Sequence, residues 1–177
     1  VITNSQKTAS GLANGGFIYL VTATNRPTSF NATGLPAPLT VDRLGLILGI
    51  PKTAGTYVAK ITASNAYGTS APFTLTITIN PEYPPKVAVT APSAGTVVLA
   101  PANLTLAAAA SSADVPPVPI RSVTFYAGTT KVGTAFLPPY TLAWKQVPAG
   151  TYAVTAVATD LLGVAATSSP VTVTVNP

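Results

Sequence analysis

The chain has 177 residues and no cysteine or histidine, so disulfides, thiolate metal sites, thiolate nucleophiles and His-based proton relays are excluded from the start. Only 7% of residues are charged against 47% hydrophobic, and the net charge of +5 sets nine scattered Lys and Arg against four acids, Asp42, Glu82, Asp114 and Asp160. No two basic residues adjoin, so the positive balance reflects a shortage of acids, not a nucleic-acid footprint, and no apolar run approaches the ~18 residues that a membrane span needs.

With so few charges, Thr, Ser and Asn must supply the water-facing side chains, as they do on the solvent side of antiparallel sheets. The alternating run TLTITINP (74–81) returns as VTVTVNP at 171–177, and the proline-rich stretch Pro81-Glu82-Tyr83-Pro84-Pro85 lies between the two halves. This predicts two like domains, residues 1–81 and 82–177, joined by a semi-rigid extended linker. Each half can bury roughly 60–65% of its unfolded surface, enough for a modest core without staples. The start lacks both a methionine and a signal peptide's apolar core, which reads as a segment of a longer protein.

In chain order, residues 1–16 are polar and Gly-rich and carry no period, so the first domain is expected to begin at Phe17. Residues 17–24 (FIYLVTAT) form a β run stopped by Asn25-Arg26-Pro27, and 29–32 a short strand before a segment with two prolines, which forbid central pairing. Residues 44–50 (LGLILGI) are apolar throughout and suit a buried strand. After Ala54-Gly55-Thr56-Tyr57, the residues Tyr57, Ala59, Ile61 and Ala63 fall on one face; beyond a turn at 65–70, Phe73, Leu75, Ile77 and Ile79 alternate with polar partners. A two-residue period this regular fixes the register, since a slip by one residue would put every apolar side chain in water.

The second half opens with strands at Val87–Val89 and 96–99, then alternates Leu104, Leu106 and Ala108 along 103–110. Residues 111–119, rich in Ala, Ser and Pro, read as a mobile loop. Val123 and Phe125 point inward from 121–126, Gly128-Thr129-Thr130 tips a hairpin, and Tyr140, Leu142 and Trp144 share a face. The word Ala-Gly-Thr-Tyr then recurs at 149–152, Asp160 and Gly163 stand where Asn65 and Gly68 stood, and Val171, Val173 and Val175 close the chain.

This repeated AGTY followed by alternation resembles the tyrosine corner of immunoglobulin-type sandwiches, in which a Tyr opens strand F two residues before a disulfide cysteine. Ala59 and Val154 occupy the cysteine positions here, so the resemblance is to cysteine-free bacterial members. It implies Tyr57 and Tyr152 hydroxyls bonded to nearby backbone. Residues 17–80 resemble the bacterial "putative Ig", cadherin-like family through PTSFNATGLPAPLTVD, GLILGIPKTAGTY, ITASNAYGT and TLTITI. Residues 85–177 are similar to a second bacterial Ig-like family through VAVTAPSAGTVV, VTFYAGTTKVGT, YTLAW and AGTYAVTAVATDLLG. The two resemblances imply an all-β fold, two Ig-like Greek-key β-sandwiches in tandem, of the kind found in secreted and cell-surface bacterial proteins as spacers, adhesin stalks or accessories to polysaccharide-degrading enzymes.

No catalytic, cofactor-binding or metal-ligating residue is expected. The four acids are dispersed, and a Ca²⁺ site wants about 6–8 oxygen ligands where the joint offers one carboxylate, Glu82; the Asp42-Arg43-Leu44 echo of a cadherin motif lacks its partner acids, and Ser112-Ala113-Asp114-Val115 replaces a more acidic turn. Trp144 could serve as a sugar-stacking platform, but alternation puts it with Tyr140 and Leu142 on the inward face, so core packing is favoured; Tyr83 and Tyr126 are the aromatics expected outside. Lys60 and Lys145 fall on outward faces, against an internal Lys–Asn cross-link, and the sequons at Asn31 and Asn103 matter only in a glycosylating host. The expected role is a non-enzymatic, monomeric, extracellular or surface segment with no cofactor, partnered by other domains of its own protein. The alternatives are a carbohydrate-binding accessory module and calcium-dependent cadherin-like adhesion.

Overall fold

Strand-forming alternation in this chain is strong enough to leave no helix anywhere. The computed structural model describes residues 1–177, which divide into two all-β units, Val1–Glu82 and Tyr83–Pro177.

The first unit has eight strands: β1 Thr8–Leu12, β2 Phe17–Leu20, β3 Ser29–Thr33, β4 Thr40–Val41, β5 Leu46–Gly49, β6 Gly55–Asn65, β7 Gly68–Thr69 and β8 Phe73–Asn80. One sheet runs β1-β8-β6-β3 with β7 added to β6, and the sheet facing it runs β2-β5-β4. The long antiparallel pair β6–β8 sets Tyr57 opposite Ile77, Ala59 opposite Leu75 and Ile61 opposite Phe73, while Thr56 meets Thr78 and Lys60 meets Thr74 on the other face. Ala59, Ile61, Leu75, Ile77 and Ile79 pack with Phe17, Val21, Leu39 and Ile47 into one core. Fully burying an aliphatic side chain of this size stabilises by about 1.5–3 kcal/mol, so this face decides the register.

Two expectations are corrected. Residues 1–16 are not a structureless lead: β1 pairs in parallel with β8, from Thr8 opposite Thr76 to Leu12 opposite Asn80, and buries Leu12 and Ala13. Its sequence, TASGL, carries no apolar period, so nothing local announces it; the open edge of β8 recruits it. Nor is 44–50 buried throughout. Ile47 is wholly enclosed, but Leu44, Leu48 and Ile50 are 71%, 42% and 47% exposed, because the β2-β5-β4 sheet packs through one face only and turns the other, including Ile18 and Leu20, to solvent. The turn after β3 depends on Gly34, whose φ is +76° and where a Cβ would lie 2.4 Å from the Val58 carbonyl oxygen.

The second unit has nine strands: β9 Lys86–Ala91, β10 Thr96–Leu99, β11 Ala102–Ser111, β12 Ile120–Ala127, β13 Thr130–Ala135, β14 Tyr140–Val147, β15 Gly150–Asp160, β16 Ala165–Thr167 and β17 Val171–Asn176. One sheet runs β10-β17-β15-β12-β13 with β16 on β15, and the other β14-β11-β9. Leu106, Val123, Phe125, Val154, Ala156, Ala158 and Val173 form the main core, and Ala102, Val147 and Val175 a smaller one beside Trp144 and Tyr152. The 111–119 loop is stitched down: Ser112 Oγ accepts the N–H groups of Asp114 and Val118, and the buried Asp114 carboxylate accepts the Tyr83 N–H at 2.6 Å.

Candidate functional site

The groups that could carry chemistry are nearly all committed to backbone. Tyr57 donates its hydroxyl to the Thr53 carbonyl at 3.0 Å and Tyr152 to the Pro148 carbonyl at 2.9 Å, the same four-residue reach in each unit. Ala59 and Val154 fill the two cysteine positions at zero exposure. Both corners therefore lock the approach to β6 and β15, each with its phenolic proton held by a backbone carbonyl.

The acids behave alike. Asp42 Oδ1 accepts the N–H groups of Leu44 and Leu46, both at 2.8 Å, and Asp160 Oδ1 those of Leu162 and Val164, both at 2.9 Å. Each carboxylate thus closes a tight turn by taking two backbone donors that the sheet leaves unpaired. Glu82 accepts the Asn14 amide at 2.9 Å. No three acids gather at one point.

Trp144 is half-buried and meets Tyr152 edge to face, with centroids 5.0 Å apart and planes at 79°, so the indole packs against the small core. Lys60 and Lys145 are exposed. Tyr83 is 51% exposed, whereas Tyr126 is half-buried beside its strand neighbours instead of lying outside.

Sequence reasoning passed over three features. Ser70 and Ser168 each take a strand N–H (from Ala63 and Ala156) and donate to the next carbonyl, splicing the point where β6 and β15 change partners. Asn4 covers the free edge of β2, its amide donating to Leu20 O at 2.8 Å and accepting from Thr22 N at 2.7 Å. Beside it the Tyr19 hydroxyl donates to Gln6 O at 2.6 Å; burial pushes this phenol's pKa up, partly offset by the Asn4 amide.

The third is an open groove of about 740 Å³ at one end of the first unit, between the β2–β3 connection and the β6–β7 turn. Asn65 bolts the two loops together, donating to Asn25 O at 2.7 Å while its side-chain oxygen holds the Tyr67 N–H at 2.9 Å. Thr28 N–H adds a bond to Ser64 O at 2.8 Å. Tyr67, at the hairpin tip, is 98% exposed. An aromatic in the polar turn Asn65-Ala66-Tyr67-Gly68 was the available signal, because a ring there has nothing to pack against.

Comparison with known proteins agrees with the architecture. Residues 1–80 match the family model "Putative Ig domain" and residues 85–156 the model "Bacterial Ig domain". Immunoglobulin domains 1–5 of Sidekick-1 superpose over 99% of this chain and 39% of theirs, at 15% identity and a TM-score of 0.53. The fibronectin(III)-like modules of Clostridium thermocellum CbhA align over 51% of this chain and 96% of theirs, at 27% identity and a TM-score of 0.48. A "putative alpha-galactosidase" from Bacteroides fragilis aligns over 44% of this chain at 32% identity and a TM-score of 0.40, and the match spans 17% of that chain. No curated protein matches. Domains of these two families are generally non-catalytic, bacterial Ig domains typically occur in extracellular or surface proteins, and no helix here is long and apolar enough to cross a membrane. The chain is a tandem of two bacterial immunoglobulin-like β-sandwiches, a "Putative Ig domain" followed by a "Bacterial Ig domain".

Proposed function

We propose that this tandem is a non-catalytic segment of an exported bacterial protein, spacing or presenting neighbouring domains at the cell surface as a stalk or adhesion module. The observation that carries the reading is the fate of the reactive groups. The corner phenols and the carboxylates of Asp42, Asp114 and Asp160 each hold backbone of their own unit, Glu82 holds the Asn14 amide, and no histidine or cysteine exists to replace them. A general acid or base must have a proton to exchange with substrate, and a group locked to two amides in a turn is poorly placed for that.

Two measurements test it on the producing bacterium and on the purified chain. Protease shaving of intact cells should release peptides of the segment, and a broad screen of hydrolase and transferase substrates should show no turnover. Retention of the segment inside shaved cells would defeat the export half of the proposal. Turnover abolished by Asp42→Asn or Asp114→Asn would defeat the other half.

A further inference from the structure

We propose that the groove between the β2–β3 connection and the β6–β7 turn is a binding site for an acidic saccharide, a chain of uronic acid units. The inference extends the spacer reading without depending on it, since a segment that positions other domains can also hold a glycan.

The groove's volume, about 740 Å³, lies in the range of clefts that hold small organic ligands, roughly 300–1,000 Å³. Its charge is one-sided. Arg26 is the only charged side chain along its walls, no carboxylate lines it, and the guanidinium makes no ion pair or hydrogen bond within the chain. A planar, permanently charged fork left unpaired is suited to a carboxylate, which it can take through two parallel bonds. Asn25 and Arg26 sit at φ +62° and +46°, a left-handed pair without glycine, so the fold holds this stretch in a conformation that L-residues avoid.

The second component is Tyr67. Its ring, 98% exposed at the tip of the turn, gains nothing from the protein core and offers an apolar face with a polar tip. That surface suits the C–H face of a pyranose. The hydroxyls of Thr24 and Thr28 along the walls donate to the carbonyls of Val1 and Ser64 at 3.3 Å each, so toward a sugar they offer oxygen lone pairs as acceptors. Because Asn65 and Thr28 already tie the two loops, the walls are set before any ligand arrives, and little ordering entropy is lost on binding.

The alternatives fit less well. A nucleic acid would need several cations in a row along its phosphates, and the walls offer one side-chain cation. A neutral sugar could accept single hydrogen bonds from the guanidinium but has no carboxylate to take its two parallel, charge-assisted bonds. An acidic peptide would satisfy Arg26 but would make no use of a flat, unsupported aromatic face.

The test titrates the full 177-residue chain at low salt with three uronate oligomers, oligogalacturonate, oligoalginate and oligoglucuronate. Cello-oligosaccharide and polyglutamate serve as controls. The expected result is saturable binding to at least one uronate, little to either control, and affinity that falls about tenfold on Arg26→Gln and on Tyr67→Ala, the scale of one lost charge-assisted or stacking contact. Both side chains are exposed, so both variants should melt with the parent. Absence of binding to all three uronates overturns the proposal, as does binding that neither substitution weakens. Equal affinity for the neutral oligomer would show that charge is not read, and equal affinity for polyglutamate would make the site one for acidic peptide; either result also overturns it.

Discussion

Asp160 offers the sharpest test of how these sandwiches are held together. Its side chain is 1% exposed, Oδ1 takes the N–H groups of Leu162 and Val164, and Oδ2 is buried with no partner. Asp160→Ala removes two charge-assisted bonds, worth about 1.5–3 kcal/mol each, while relieving the cost of a buried carboxylate, so the net loss should be about 2–4 kcal/mol. Asp160→Asn keeps an oxygen for both amides and removes the charge that Oδ2 leaves unsatisfied. In the first unit Asn65 closes the corresponding turn through Oδ1 to Tyr67 N–H, but there the amide nitrogen also has an acceptor, Asn25 O, which Oδ2 of Asp160 has no counterpart for. The Asn variant should therefore lose less than the Ala variant, about 1–2 kcal/mol, because it keeps both turn bonds but buries an amide NH2 where Oδ2 has no partner. Urea unfolding followed by fluorescence of the single tryptophan, Trp144, reports on this unit alone. If Asn proved as damaging as Ala, the two backbone bonds would not be what the carboxylate is for.

The remaining predictions concern the corners, the small core, a turn and one phenol. Tyr57→Phe and Tyr152→Phe should each cost on the order of 1 kcal/mol through a lost bond to Thr53 or Pro148, measured as a lower calorimetric transition for the affected unit. Trp144→Ala should cost about 2–3 kcal/mol, below the value for a fully enclosed Trp because the indole is only half-buried, and an unchanged transition would place it outside the core. Gly34→Ala should lower stability more than Gly163→Ala: both need positive φ, but only at Gly34 does the added carbon strike a carbonyl, while nothing lies within 4 Å at Gly163. Burial raises the Tyr19 pKa, so the folded first unit holds that proton longer than the unfolded chain does; its contribution is intact below pH ~10 and disappears as pH rises through the folded value, a dependence that Tyr19→Phe should flatten.

What could be read from the residues was whatever repeats locally. The alternation of 55–61 against 73–79, and of 150–154 against 171–175, specifies paired strands because the apolar period is two and each slip is penalised. The corner tyrosines were equally legible, since AGTY fixes both the turn and the reach of the hydroxyl. Long-range features were not. β1 exists because β8 has an open edge, which TASGL cannot express, and LGLILGI looks uniformly buried only until its sheet proves to pack on one side. The groove is less visible still: its walls are 40 residues apart in sequence and meet through the β3–β6 pairing, with one asparagine as the fastener.

The two sandwiches treat equivalent loops in opposite ways, and that asymmetry separates stability from recognition. In the second unit the β11–β12 loop is pinned by Ser112 and the buried Asp114, and the turn after β15 sinks Asp160 beneath Leu162 and Val164. Removing a polar group there leaves buried amides unpaired, a penalty borne by folding. In the first unit the fasteners Asn65 and Thr28 lie at the base of the loops, so the tips above them carry Arg26 and Tyr67 with no structural duty. A side chain that the fold does not need can serve a ligand without cost to stability. Loss of Arg26 or Tyr67 should therefore register in binding alone, and loss of Asp114 or Asp160 in unfolding.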